Sequence, residues 1–321
     1  MNTPENLVIE TSGLTKTYKD VKALSSLNLK VPKNSIFGFL GPNGAGKTTT
    51  IKLLLGLSNP TEGEGKVFGA DIKSESIAIR RRIGYLAQTP VFYDHMTSRE
   101  TLRYKLGFFF SGPKDLIEER IQETLELVGL DDKADRPIEG FSGGERQRLG
   151  IALAQVTHPD LLILDEPAAN LDPMGRHDVL EIMEKLREHA TVFYSTHILD
   201  DVQKVSDTVA ILNKGVLVAQ APIEELLQGS SSITYNVIVE GPSDEAHKLV
   251  SSQEWVSSVK AQEENGDTKL LITVADETKA KSELLRLLMS VSGVLVTEFV
   301  RNKLDLEDVF MSIVEGANDD D

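Results

Sequence analysis

Residues 35–57 read SIFGFLGPNGAGKTTTIKLLLGL, and this stretch decides the fold of the chain around it. The run Ile36 to Leu40 is apolar enough for a buried strand. A glycine-rich turn follows at once, and TTTIKLLLGL then places its apolar residues on one helical face. Strand, glycine loop and helix in that order are the setting a phosphate-binding loop requires. Gly41, Pro42, Asn43, Gly44, Ala45, Gly46, Lys47 and Thr48 match G-x-x-x-x-G-K-[ST] in full, with Thr49 next in line. The glycines let successive N–H groups turn inward as an anion nest, and the helix adds the positive end of its dipole. Lys47 is expected to reach the β and γ phosphates of a nucleotide, and the Thr48 hydroxyl to coordinate Mg²⁺.

Outward from this loop, LLILDEP at 161–167 is a continuous apolar run closed by acids, as expected of a strand buried on both faces of a parallel sheet. Asp165 is placed to hold a Mg²⁺ shell, and Glu166 beside it to polarise an attacking water. Between the two segments lies FSGGERQRL at 141–149. Ser142, Gly143 and Gly144 open a helix and again offer N–H groups and a hydroxyl to an anion. One chain already has a complete phosphate loop. A second phosphate-binding helix start makes most sense if it faces the nucleotide of another copy.

The rest of the pattern alternates. LVIETSGLTKTY from Leu7, a turn at Lys19 and Asp20, and ALSSLNLKV read as short strands. SRETLRYKLGFFF and KDLIEERIQETLELVGL read as amphipathic helices, the first starting at Ser98 with Glu100 and Thr101 short of a strict capping box. A further helix is expected over 143–156, then a helix at HDVLEIMEKLREH, a strand at TVFYSTH, a helix at ILDDVQKVS and a strand at TVAILNKG. This is an α/β core with a helical insertion at about 90–157. Composition shifts after Leu227, where GSSS is a flexible junction. Beyond it, β, α, β, a turn at ENGDT, β, α, β and a last helix at DLEDVFMSIVEG suit a small α+β domain of ferredoxin-like type. The expected domains are therefore 1–227 and 228–321, with a frayed tail at 317–321.

Composition limits the functions open to the chain. Its 321 residues suggest about two domains. The formal net charge is −16 and the pI near 4.9, so a general affinity for nucleic acid or for an anionic bilayer surface is not expected. There is no cysteine, which excludes disulfides and thiolate metal sites. The N-terminus has no signal-peptide pattern, and no apolar stretch approaches the ~18 residues of a membrane span.

With these motifs in this order, the chain resembles the nucleotide-binding subunit of ABC transporters over roughly residues 7–225. The resemblance assigns further positions. Tyr18 stands where an aromatic ring stacks on adenine, and Gln88, in YLAQTP, matches the Q-loop glutamine that contacts Mg²⁺ and water and senses the membrane partner. Ser142, Gly143, Gly144 and Glu145 correspond to the signature motif, Asn170-Leu171-Asp172 to the D-loop, and His197 to the switch histidine at the γ-phosphate. The chain departs from the family pattern in having Phe141 where Leu is usual and Glu145 where Gln is usual. An acid there needs outward orientation or a basic neighbour such as Arg146 or Arg148.

The resemblance implies an α/β P-loop NTPase core of ABC type with an antiparallel β subdomain, and an ATPase in which Lys47, Gln88, Glu166 and His197 act on Mg·ATP. It implies a head-to-tail homodimer, closed by ATP, and a membrane-spanning permease subunit that holds the protein at the inner face of the cell membrane. Residues from Gln88 to Gly107, with Met96, Leu102 and Phe108 to Phe110, are expected to form the groove for that partner. The details most resemble ATPases of multidrug, lipid or polysaccharide exporters. The alternative is a regulatory or nucleic-acid-linked ABC ATPase without a membrane partner. Against a nucleic-acid-linked ATPase stand the single Walker set, the lack of a coiled coil and the acidic charge; a regulatory ATPase shares every catalytic residue, and effector titration of the C-terminal domain would discriminate it.

Overall fold

The computed structural model describes residues 7–229, 233–264 and 267–302. The chain divides into two compact units between Ile223 and Glu224, just ahead of the composition shift at Leu227. The expected serine junction at 230–232, the turn at 265–266, the last helix at 305–316 and the tail at 317–321 lie outside the described residues.

The first unit is built on two sheets. In the larger, strands β4 (Ile36–Leu40), β7 (Ile83–Leu86), β8 (Leu161–Asp165), β9 (Thr191–Thr196) and β10 (Thr208–Asn213) run parallel, and β11 (Val216–Pro222) closes one edge antiparallel to β10. The order is β11-β10-β4-β9-β8-β7. β4, β8 and β9 are buried at every position, which is why their sequences do not alternate. Phe37 stacks on Phe193 across β4 and β9 with ring centroids 5.7 Å apart, and Phe39 meets the same ring at 5.4 Å. This aromatic layer fixes the strand register on which the loops at the C-terminal ends depend.

The smaller sheet is antiparallel, with β1 (Leu7–Tyr18) paired to β2 (Val21–Leu27), β3 (Lys30–Pro32) and β5 (Glu62–Val67), and β5 to β6 (Ala70–Asp71). The run ALSSLNLKV, expected as one strand, is two. Ser26 turns to φ 48°, and the Thr11 hydroxyl donates to Leu27 O at 2.8 Å while accepting the Leu29 N–H at 2.8 Å. One buried threonine thus satisfies the backbone at the break. β5, EGEGKV, gave no strand signal because glycine and glutamate disfavour strands.

Three helices form the insertion: α3 (Ser98–Leu106), α4 (Lys114–Leu127) and α5 (Gly143–Gln155). The start of α3 corrects the sequence expectation. Thr97 is the N-cap, accepting the Glu100 N–H at 3.2 Å, and the Glu100 carboxylate accepts the Thr97 N–H at 2.9 Å, a full capping box. Leu102 is also corrected. It is buried with Leu106 against the insertion's own core and is no part of an outer groove. The remaining helices of the unit are α1 (Lys47–Leu54), α2 (Ser76–Arg80), α6 (Pro173–Leu186) and α7 (Leu199–Val205), with α8 (Ile223–Gly229) at the division.

The second unit is one antiparallel sheet in the order β13-β14-β12-β15 with two helices. Along the chain these are β12 (Ile233–Glu240), α9 (Ser243–Ser251), β13 (Val256–Glu264), β14 (Asp267–Val274), α10 (Glu277–Met289) and β15 (Leu295–Asn302). Tyr235, Val237 and Val239 alternate inward along β12 and pack with Ala246 and Val250 of α9 and Leu284 and Leu288 of α10. Among the described residues, no helix is long and apolar enough to cross a membrane.

Candidate nucleotide-binding site

The turn between β4 and α1 is shaped by its glycines. Gly44 and Gly46 take φ of 80° and 110°, a region that side chains rarely adopt. A Cβ on Gly41 would stand 2.3 Å from the backbone oxygen of Leu212, so the chain there lies too close to β10 for any other residue. The loop is tied to its sheet by Gly41 N–H to Thr196 O at 3.1 Å and Gly215 N–H to Ala45 O at 2.9 Å. No side chain caps α1 at Gly46. Its first N–H groups are therefore left to an anion, where the helix dipole favours negative charge.

Lys47 and Glu166 meet at this helix start. Lys47 Nζ donates to Gly41 O at 2.6 Å and Pro42 O at 3.3 Å and stands 3.0 Å from Glu166 Oε1, with both side chains buried. Glu166 holds a left-handed φ of 52°, a strained setting for a residue with a Cβ. Its N–H donates to Ser195 Oγ at 3.0 Å, and its second oxygen, Oε2, lies 2.9 Å from His197 Nδ1. Beside it Asp165 accepts the Thr48 hydroxyl at 3.0 Å and the Ser195 hydroxyl at 2.6 Å. Burial, and then the Asp165 anion on the neighbouring strand, push the Tyr85 hydroxyl above its usual range.

A cavity of about 360 Å³ opens over these groups and is lined by residues 42–49, Gln88, Glu166 and Ala23. The structure thus brings together the glycine loop, Lys47, Thr48, Asp165, Glu166, Gln88 and His197. Tyr18 is not among the residues lining this cavity. It ends β1 with 44% of its surface exposed and Lys16 Nζ 4.8 Å from its ring centroid. Two participants were not foreseen. Ala23 carries no chemical signal. Ser195, whose hydroxyl donates to the Asp165 carboxylate and accepts the Glu166 backbone N–H, is visible only as a small polar residue at the end of the buried run TVFYSTH.

Ser142, Gly143, Gly144 and Glu145 lie in another cavity, of about 370 Å³, together with Asn170 and Asp172. Ser142 caps α5, accepting the Glu145 N–H at 3.3 Å, while Glu145 accepts the Ser142 N–H at 2.7 Å. The basic neighbour of Glu145 is Lys133, at 3.0 Å, in place of the expected arginines. Arg146 instead pairs with Asp94 at 2.8 Å, and Arg148 with Asp178. Burial raises the Glu145 pKa, but the Ser142 N–H and the Lys133 ammonium outweigh it and hold the carboxyl below its usual range. The acid of this turn is therefore committed to its own helix start and leaves the glycines open.

Oxygen donors at Thr48 and Asp165 suit a hard cation such as Mg²⁺. Among the described residues no group of three or more His, Cys, Asp or Glu could hold a metal ion.

The sequence profile of the ABC transporter family matches residues 24–169. The ABC transporter ATP-binding protein YxlF of Bacillus subtilis (strain 168) is 36% identical over 96% of this chain and 99% of its own length. The daunorubicin/doxorubicin resistance ATP-binding protein DrrA of Streptomyces peucetius is 35% identical over 100% of this chain and 96% of its own. Among solved structures, the dimeric post-hydrolysis ATP-binding cassette MJ0796 bound to ADP and Pi superposes with a TM-score of 0.61 at 26% identity, over 67% of this chain and 98% of that one. A complete phosphate loop, two acids at the end of the adjoining strand and end-to-end similarity of this kind agree: the chain belongs to the ABC transporter family, as an ATP-binding subunit and ATPase.

Proposed function

We propose that the protein hydrolyses Mg·ATP at the nest of residues 41–49, with Glu166 as general base, and powers an exporter. The observation that carries this is the Glu166 carboxylate, held between Lys47 and His197 at the mouth of the nest. In this assignment Lys47 binds the β and γ phosphates and spreads the charge that develops on transfer, and His197 holds the γ-phosphate. Glu166 takes the proton of the attacking water. Mg²⁺, held by Thr48, Asp165 and Gln88, neutralises phosphate charge when bound. Tyr18, at the end of β1, is assigned to stack on adenine.

A second copy completes the site. Because the Ser142–Glu145 turn and the phosphate nest line separate cavities of one chain, the turn is free to cap the nucleotide of another. The arrangement is a head-to-tail homodimer that ATP closes and hydrolysis releases, since γ-phosphate contacts exist only before cleavage. The membrane partner is a permease subunit, which places the protein at the inner face of the cell membrane. Its docking place is an apolar hollow of about 390 Å³ lined by Leu57, Ile77, Tyr85, Lys105 and Phe109. Leu57, Ile77, Phe108 and Phe109 are more than half exposed there or nearby. The resistance role in the name of DrrA supports export. The β-α-β-β-α-β order of the second unit, with its sheet order, supports a ferredoxin-like domain.

The test is the Glu166→Gln protein with Mg·ATP in light scattering. A dimer that forms with ATP and not with ADP is expected; a monomer under both conditions overturns the capped-dimer mechanism.

A further inference from the structure

We propose that the Arg176–Asp201 ion pair is a positioning device for His197, joining it mechanically to the loop at Asn170 and Asp172. The chain of contacts is short and continuous. Asp172 caps α6 by accepting the Gly175 N–H at 2.9 Å, and one turn on, Arg176 extends from the same helix. Arg176 Nε donates to Asp201 Oδ1 at 2.5 Å, and the Asp201 side chain is only 1% exposed. Asp201 belongs to the first turn of α7, which starts at Leu199, two residues beyond His197. His197 in turn reaches Glu166 Oε2 at 2.9 Å.

The pair differs from an ordinary helix-to-helix ion pair in two respects. It binds together the starts of the two helices whose preceding loops carry His197, assigned above to the γ-phosphate, and Asp172, which lines the same cavity as the Ser142–Glu145 turn. It is also half made. Asp201 Oδ2 and Arg176 Nη2 are both buried, and neither has a hydrogen bond among the described residues, with Nη2 facing only the more distant Asp200 Oδ2 at 3.9 Å. Guanidinium and carboxylate favour two parallel bonds, and a buried polar atom left without one is costly. The pair ties the start of α6 to the start of α7, and contact of a second copy with Asn170 and Asp172 would be felt through it at His197. Burial, with Asp200 adding to it, raises the Asp201 pKa while Arg176 and then Lys204 oppose it.

The inference rests on His197 acting at the γ-phosphate, and the test separates the two. Steady-state ATP hydrolysis by the full chain is measured for Arg176→Lys, Asp201→Asn and the double variant, each alone and combined with His197→Ala. The single variants should lower kcat about tenfold with KM for ATP within about twofold. The double variant should lose no more than a single one, and none should lose further in the His197→Ala background. Folded variants with kcat within about twofold of the parent overturn the proposal. So does a loss that persists in full on top of His197→Ala. Should Asp201→Asn fail to fold, Arg176→Lys with His197→Ala carries the same cycle; failure of both to fold assigns the pair to stability alone. Full turnover in His197→Ala by itself refutes the role of His197, a different result.

Discussion

Lys47 Nζ stands 3.0 Å from Glu166 Oε1, with the two side chains 6% and 5% exposed. In the mechanism proposed above, a nucleotide that takes the Lys47 ammonium for its phosphates takes it from Glu166, so binding a triphosphate and freeing the proposed general base are one event. Glu166→Gln keeps the shape and removes the competing charge. Turnover should fall by about 10²–10⁴, the scale of a lost general base, while ATP affinity stays the same or rises. Phosphate release and nucleotide titration on one preparation check both halves, and unchanged turnover would falsify the assignment.

Gly41 offers a steric test. A methyl group there would meet the Leu212 carbonyl oxygen at 2.3 Å, so the loop or β10 must shift. Gly41→Ala is expected to cost about 1–3 kcal/mol of stability, as overpacking does, and to weaken ATP binding by displacing the nest. Thermal unfolding with an ATP titration measures this. A variant matching the parent in both would show that the close approach of loop and β10 is unimportant.

Glu145 predicts an acid-side effect. Its carboxyl is held below the ordinary value of 4.5, so the folded state binds its proton less readily than the unfolded chain does. The stability it contributes is complete above about 4.5 and is lost as pH falls through its lower folded pKa. Glu145→Gln should therefore lower the unfolding temperature at neutral pH, and the gap from the parent should narrow below the ordinary carboxylate range. A gap independent of pH would remove the Lys133 and Ser142 contacts as its cause.

Lys105 predicts the opposite trend. Burial lowers its pKa from 10.5 to about 8, and its ammonium donates to the Leu153 carbonyl. Between those two values the unfolded chain holds this proton and the folded protein does not, so stability should rise with pH from about 8 to 10.5. Below about 8 the cost of the buried charge is fully present. Lys105→Met should flatten that rise. Unfolding midpoints of parent and variant across this range decide the matter, and parallel curves would count against a buried ammonium.

Much of the chemistry was legible in the chain because its motifs are local. The phosphate loop needs consecutive N–H groups and a lysine within eight residues, 41–48, and the acids Asp165 and Glu166 close one uninterrupted apolar run. Buried parallel strands carry that signal whatever surrounds them. The less legible parts depend on weak local preferences. β5 is glycine- and glutamate-rich and owes its strand conformation to pairing with β1. The break in ALSSLNLKV turns on the Thr11 hydroxyl, 16 residues from its Leu27 partner.

The one-dimensional code of residues 35–57, 141–149 and 161–167 thus determined by itself that this chain folds an α/β core around a nucleotide-binding loop. Periodicity and glycine placement are properties of neighbours in sequence. Only the tertiary structure decided which charges meet. Lys133 rather than Arg146 or Arg148 stands by Glu145, Ser195 links the Asp165 carboxylate to the Glu166 backbone N–H, Leu102 turns inward, and Arg176 reaches Asp201 across 25 residues. Ion pairs and burial depend on distances set when helices and strands pack, and no local pattern specifies which side chain completes a contact between distant segments.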